Sequence, residues 1–306
     1  MTLDAPKVVI FSDEPGWHGR SLRREMQSQG IHAQAISLCD CAFDLSGAQP
    51  KISIRGFREL PDAAFVRGVA GGTLEEIVIR LDILHALEIL GVPVFNSGRA
   101  IERTVDKAMT SFLLRKHRIP TPRTWVAESV EHARNIAQQE LRGSESLVLK
   151  PLFGSQGNGI IRVANLDEFD AYVPPTGVFY LQEYLRSGEP GFRDWRVFVI
   201  DGKAVAAMQR RSQHWVTNRA QGAVCEAIGP DLNLYALAEE ATAAVDVDYA
   251  GVDLLRDGNG NWLVGEVNGI PAWQGLQRVS GRNITQQLVS AFASKIARYS
   301  VYSATG

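Results

Sequence analysis

The spacing of apolar positions along the chain changes period several times, and each change marks a structural element. "KVVIF" at Lys7–Phe11 is a short β-branched run. It leads through a glycine-containing loop into "GWHGRSLRREMQSQG", an amphipathic helical pattern that Gly30 ends. "HAQAISL" and "AAFVRG" predict further strands of the same sheet. "GGTLEEIVIRLDILHALEILGVPVFN" opens on a capping box from Thr73 to Glu76 and carries Ile77, Leu81, Leu84 and Leu87 at helical spacing. Gly91 stops that helix and "VPVF" returns as a strand. Residues 1–97 therefore predict a small doubly wound α/β domain.

From Thr104 the character changes. "TVDKAMTSFLLRKHRIPTP" predicts one helix with Met109, Phe112, Leu113 and Lys116 at i, i+3, i+4, i+7 spacing, ended by Pro120 and Pro122. A second helix, "ESVEHARNIAQQELRG", has Ser129 as its N-cap, and a hairpin around Lys150 and "GVFYLQEYL" complete an α+β subdomain over 98–185. Residues 186–306 alternate long strands ("DWRVFVIDGKAVAAMQRR", "YAGVDLLRDGNGNWLVGEVN") with helices ("NLYALAEEATAAV", "ITQQLVSAFASKIARYS"), and form a second α+β subdomain. Asp201–Gly202 and Asp257–Gly258 fall where hairpin turns are expected.

Composition narrows the function classes. With 306 residues the chain can bury a sizeable core, and a net charge of −2 supplies no whole-molecule field for nucleic acid or an anionic membrane. The first residues lack a basic region followed by an apolar stretch, and no apolar run approaches the ~20 residues that span a bilayer. The three cysteines, Cys39, Cys41 and Cys225, read as free thiols. A cytoplasmic protein is expected, with no nucleic-acid or membrane partner.

The stretch "KPLFGSQGNG", Lys150–Gly159, lies between the apolar runs "LVL" and "IIRV". A dinucleotide fingerprint would need G-x-G-x-x-G opening a helix, whereas the order here is G-x-x-G-x-G and a strand follows. A Walker A loop would end in Gly-Lys-Ser/Thr, and this one does not. Two readings remain: an ordinary glycine-rich surface hairpin, or a flap whose amides cover a triphosphate, with Lys150 adding a charge from the strand before it. In the second, Gly154, Gly157 and Gly159 supply the backbone conformations and close approach that glycine allows.

Asp253, Glu266 and Asn268 interrupt otherwise apolar strands. Glu266 and Asn268 are two apart and share a face. A Gly258–Asn261 loop would pair Asp257 with Trp262 and bring Asp253 opposite Glu266. That patch of oxygens suits magnesium held by carboxylates and substrate phosphates; the alternative is a solvated strand face. Basic residues recur at Lys107, Lys150, Arg196, Arg210 and Arg211, each singly more often a surface charge than a ligand.

Taken in order, "DKAMTSFLLRKHRIPTPRT", "LVLKPLFGSQGNGIIRV", "YLQEYL", "DWRVFVIDGKAVAAMQR" and "YAGVDLL…GEVNGIPAWQGLQ" resemble the ATP-grasp ligases, and among them the RimK-like α-L-glutamate ligases, over about residues 60–290. The resemblance implies an ATP-grasp fold, an N-terminal α/β domain plus two α+β subdomains enclosing ATP. It implies that Lys107 and Lys150 contact phosphates under a flap including Gly154, Ser155, Gln156, Gly157 and Gly159. Gln182, Glu183 and Tyr184 would lie near adenine and ribose, and Arg196 and Asn218 would join the nucleotide site. Asp253, Glu266 and Asn268 would hold Mg2+, with Mn2+ as an alternative, and Arg210 would steady the transferring phosphoryl group. "WVTNRAQGA", with Ala220 and Gln221 where ribosomal-tail ligases carry a His-Arg pair, and "PAWQGLQ" are most similar to the branch acting on tetrahydromethanopterin-type cofactors.

The expected reaction follows from carbonyl chemistry. A carboxylate and an amine do not condense at neutral pH unless the acid is activated, so an acyl phosphate forms first and ADP leaves. The expected partners are L-glutamate and a small-molecule acceptor carboxylate, which would lie near Trp17, Arg20 and Arg67. Ligases for ribosomal tails, furan-type or deazaflavin cofactors or amino-acid carrier proteins are the alternatives within enzymes. A non-catalytic ATP-binding module is the alternative outside them, and a homo-oligomer remains compatible with the sequence.

Overall fold

The computed structural model describes residues 5–14, 16–143, 145–154, 157–186, 191–217 and 222–305, with side chains through 299. Three larger sheets follow one another along the chain.

The first is parallel. β1 (Lys7–Phe11) and β5 (Ala63–Val66) form its centre, flanked by β2 (His32–Ile36) and β6 (Val94–Phe95), in the order β2-β1-β5-β6. Val8–Phe11 of β1 and all of β5 are buried on both sides, as apolar central strands of a parallel sheet require. Helix α1 (Trp17–Ser28) packs Leu22 and Met26 against Val8 and Ile10 on one face. Helix α2 (Leu74–Ile89) packs Ile83, Leu84 and Leu87 against Val9 and Phe11 on the other. The expected capping box is present: Thr73 Oγ1 accepts from Glu76 N–H, and Glu76 accepts from Thr73 N–H at 2.8 Å. A hairpin of β3 (Cys41–Asp44) and β4 (Lys51–Ile54), which the periodicity did not predict, lies beside α2.

The helix expected from Thr104 is two. Helix α3 (Gly98–Val105) ends at Asp106, whose carboxylate caps α4 (Lys107–Lys116) by accepting from the amides of Ala108 and Met109. Its expected stripe is also displaced. Thr110 and Leu114 are the buried side of α4, while Met109 and Phe112 are exposed. The next sheet is antiparallel, in the order β7 (Thr124–Ala127), β10 (Phe179–Glu183), β8 (Leu147–Lys150), β9 (Ile161–Val163). Helices α5 (Val130–Glu140), capped by Ser129, and α6 (Leu166–Asp170) share its core.

The third sheet runs β13 (Val224–Ala227), β12 (Lys203–Ser212), β11 (Phe192–Ile200), β14 (Tyr249–Arg256), β15 (Trp262–Asn268), all antiparallel. The β11–β12 turn is Asp201–Gly202, both at positive φ. On one face Trp195, Val197, Val252 and Leu254 meet α7 (Leu232–Val245) in an apolar core. The opposite face divides. Its lower half, with Phe198, Ile200, Met208 and Tyr249, joins the core under the parallel sheet, closed by α8 (Gln274–Val279) and α9 (Ile284–Thr305). Its upper half carries charged residues, and the candidate site begins there.

Asn96 joins the two sheets. Its fully buried amide donates to the carbonyls of Tyr249 (2.8 Å) and Gly269 (2.7 Å) and accepts from the N–H groups of Asp248 and Tyr249. The Tyr249 hydroxyl donates to Val66 O at 2.6 Å, fixing the third sheet to the carboxyl end of β5.

Candidate active site

Two β-bulges set the charged patch. Along β14 and β15, Leu254 pairs with Val264, but Asp253 pairs with Glu266, leaving Gly265 as the extra residue. The pairing of Asp253 with Glu266 agrees with expectation, but the route differs. Trp262 pairs with Arg256 rather than Asp257, and the bulge restores the register. It puts Val264 and Val267 in the α7 core and Glu266 and Asn268 on the cleft side. Along β11 and β12, Val205 is the extra residue, so that Asp194 pairs with Arg210.

The result is a buried charge network. Arg210 makes a fork to Asp194, 2.6 and 2.5 Å, and its Nη2 also lies 3.0 Å from Asp253 Oδ2. Arg196 makes a second fork, to both oxygens of Asp253, at 2.6 and 2.7 Å. Thr217 Oγ1 donates to Asp194 at 2.7 Å. Burial pushes the Asp253 carboxyl up, but Arg196 and Arg210 outweigh it and leave it at about 2. Asp194 remains raised by burial despite Arg210. Burial lowers Arg210, yet Asp253 and Asp194 more than offset it and hold it firmly charged.

Facing the network across the cleft, Lys150 ends β8 and is held by Gln182 Oε1 at 2.6 Å. Gln182 is itself anchored by Thr124 and the Tyr180 hydroxyl. Lys107 begins α4 and donates to the carbonyls of Leu152 (3.3 Å) and Gly154 (2.8 Å) in the loop after β8. It stands 4.0 Å from Glu266 Oε1. Burial lowers the pKa of both lysines; Lys107 adds to the effect at Lys150, and Glu266 opposes it at each. Gly157 and Gly159 have φ of +75° and +71°, and a Cβ on Gly159 would lie 2.9 Å from Pro151 Cγ.

A cavity of about 420 Å³ separates the two antiparallel sheets, lined among others by Lys150, Arg162, Tyr184, Arg210, Asp253 and Glu266. Arg162 lies over the Tyr184 ring at 4.3 Å. A narrower hollow of about 60 Å³, sharing Lys150 and Glu266, adds Lys107, Gly154, Arg196 and Asn268. Lys107, Lys150, Gly154, Gly157, Tyr184, Arg196, Arg210, Asp253, Glu266 and Asn268 are thus gathered at one cleft. Glu183 points elsewhere, to Arg123 Nε at 3.1 Å, and Gln182 serves Lys150 from beneath. Ser155, Gln156 and Asn218, with Ala220 and Gln221, lie outside the described residues. Asp194, Thr217 and Arg162 are cleft residues that sequence reasoning missed. Only the bulge at Val205 aligns Asp194 with Arg210, and no residue pattern announced it.

The donors suit a hard cation. Glu266 and Asn268 face one hollow, and Asn268 spends its Nδ2 on Gly251 O (3.3 Å), leaving its amide oxygen as an acceptor. Asp253 differs from expectation, since guanidiniums already balance its charge. Among the described residues no group of three or more His, Cys, Asp or Glu side chains is disposed to hold a metal. Glu266, Asn268 and substrate oxygens would form the donor set, with Asp253 beside it.

A lysine- and arginine-lined cleft between two antiparallel sheets is the architecture of an ATP-grasp ligase. The structure of ATP-grasp ligase PsnB complexed with minimal precursor, Mg and ADP matches it with a TM-score of 0.72, covering 97% of this chain and 100% of that one at 20% identity. The chain belongs to the RimK-like ATP-grasp family, whose domain matches residues 104–292, and is a ligase forming carbon–nitrogen bonds. It is 36% identical over 290 residues to the tetrahydromethanopterin:α-L-glutamate ligase of Methanococcus maripaludis, covering 92% of this chain and 96% of that protein. It is 31% identical over 301 residues to a probable α-L-glutamate ligase of Aeromonas salmonicida, covering 95% and 98%. No described helix is long and apolar enough to cross a membrane.

Proposed function

We propose that this ligase uses ATP to add L-glutamate to a carboxylate of a small, tetrahydromethanopterin-type cofactor, releasing ADP and phosphate. The observation that carries this reading is the pairing of two cations depressed by burial, Lys107 and Lys150, with Glu266 and Asn268 in one hollow. Lysines matched only weakly by Glu266 await a polyanion, and the oxygens beside them await its cation. The 36% identity to a tetrahydromethanopterin ligase supports the acceptor class.

In this reading the three segments 1–97, 98–185 and 186–306 supply acceptor wall, flap and cation site respectively. Lys107 and Lys150 hold the phosphates, and the loop of Gly154, Ser155, Gln156, Gly157 and Gly159 covers them. Tyr184, with Arg162 over its ring, lines the nucleoside end, and Gln182 acts by orienting Lys150. Glu266 and Asn268, with Asp253 adjoining, would hold magnesium, which supplies charge neutralisation at the phosphates. An acceptor carboxylate oxygen attacks the γ-phosphorus and the bond to ADP breaks, while Arg210 balances charge on the transferring group. The glutamate nitrogen then attacks the acyl carbon, phosphate departs, and the nitrogen loses a proton to phosphate or water.

Initial rates with ATP, magnesium, L-glutamate and tetrahydromethanopterin test the reading, with products weighed by mass spectrometry. Glutamylated product, ADP and, with added hydroxylamine, a hydroxamate are expected. AMP and pyrophosphate would refute the acyl-phosphate route. Another amino acid consumed with ADP would remove only glutamate.

A further inference from the structure

Arg67 follows β5 at the carboxyl edge of the parallel sheet, where open α/β sheets bind ligands. Its N–H donates to Phe11 O at 2.8 Å, which fixes the main chain. Its guanidinium lies over the Trp273 ring, 5.4 Å from the centroid, and Nε is buried without a hydrogen-bond partner. Burial lowers the Arg67 pKa, and the charge opposing this is Tyr249, not an acid. The Tyr249 proton is already given to Val66 O.

Other buried cations are matched differently. Arg80 meets Glu76, Arg196 and Arg210 meet Asp253, and Lys295 meets Asp248. Among the described residues Lys107 and Lys150 are also weakly matched, and they lie in the phosphate hollow. Desolvating a cation costs more than a cation–π contact returns. The stack on Trp273 therefore leaves Arg67 short of a counter-charge.

The surroundings form a rigid wall. Trp273 is fully buried, donates Nε1–H to Thr285 Oγ1 at 3.0 Å, and packs against His18 with ring centroids 4.5 Å apart. His18 Nε2 accepts from the N–H groups of Trp273 and Gln274. The wall is also near the reaction centre. Four residues separate Trp273 from Asn268, so five Cα–Cα steps give a reach of at most ~17 Å. Between them Pro271 packs on Gly251, whose Cβ position is 2.9 Å from Pro271 Cβ and 3.5 Å from Arg196 Cδ.

We propose that Arg67, seated on Trp273, receives a carboxylate of the substrate other than the one that reacts. This rests on the ligase reading above. The carboxylate comes either from the incoming amino acid or from a second acid group on the acceptor.

The test uses the full chain and the variants Arg67→Gln and Arg67→Met. Calorimetry with a non-hydrolysable ATP analogue present measures binding of glutarate, L-glutamate and tetrahydromethanopterin. At least one should bind wild type and weaken roughly ten- to hundredfold in both variants, the size of a charge-assisted hydrogen bond. The analogue should bind as before. Thermal midpoints should be unchanged or raised, because a partly buried charge with an unpaired Nε has been removed; a merely structural stack predicts a fall. In initial rates, a raised KM for L-glutamate alone assigns the amino acid's carboxylate, and a raised KM for acceptor alone assigns the acceptor's. Absent turnover in wild type would overturn the ligase reading and leave calorimetry to decide Arg67. Equal binding by wild type and variants, or no carboxylate binding by wild type, would overturn the Arg67 assignment.

Discussion

Arg210 and Asp194 face each other across β11 and β12 as a forked ion pair at 2.6 and 2.5 Å, and the Nη2 of that fork also reaches Asp253 at 3.0 Å. Asp194 thereby fixes the plane of a guanidinium that the proposed reaction needs at the transferring phosphoryl group. Asp194→Asn should lower kcat about tenfold through misorientation. KM for ATP should be nearly unchanged. The variant should also lose about 2 kcal/mol of stability, since a hydrogen bond to a buried charge is weakened. Steady-state kinetics beside urea unfolding reads both; wild-type kcat in the variant would remove the positioning role.

Glu266 is about one-third exposed, and Lys107 at 4.0 Å is its charged neighbour, so its charge can be removed with little effect on packing. Glu266→Gln should leave the thermal midpoint close to wild type. Turnover should drop below about 1%, consistent with losing several kcal/mol of charge stabilisation at the phosphates. Magnesium titrations of ADP release check this, and near-normal magnesium-dependent activity would refute the cation site.

The buried lysines make a prediction in pH. Burial holds Lys107 and Lys150 below the ordinary lysine value of 10.5, and bound phosphates would supply a counter-charge that raises them. In the alkaline range below 10.5, nucleotide binding should therefore take up protons, and affinity should fall as pH rises. Calorimetry in two buffers of different ionisation enthalpy measures the uptake, which Lys150→Met should reduce. Proton release on binding would contradict the assignment.

Gly159 combines φ of +71° with a Cβ position 2.9 Å from Pro151 Cγ. Gly159→Ala should displace the hairpin and raise KM for ATP several-fold, at a strain of about 1–2 kcal/mol. An unchanged KM would show that this loop does not cover the nucleotide.

Local signals in the sequence were strong wherever a single element sufficed. The capping box at Thr73, the turn at Asp201–Gly202, the Ser129 cap and the apolar runs of the three larger sheets depend on neighbours within a few residues, and the chain displays those neighbours directly. Ordered motifs likewise carried the ATP-grasp resemblance and gathered Lys107, Lys150, Arg196, Arg210, Asp253, Glu266 and Asn268 as candidates before any geometry. Tertiary structure decided how these residues are paired. The bulges at Val205 and Gly265 turn Arg210 toward Asp194 and Glu266 toward the cleft. A bulge is selected by packing on both faces of a sheet, so alternation alone cannot locate it. Burial direction was equally non-local. Met109 and Phe112 looked like the inner stripe of α4, but Thr110 and Leu114 face inward because the buried side is set by α3, α7 and β15, which pack on the helix from elsewhere in the chain. Arg67 read as one strand-end charge among several, and only the fold shows it half-buried over Trp273 with its Nε unpaired, because the balance of a desolvated charge depends on side chains far apart in the chain.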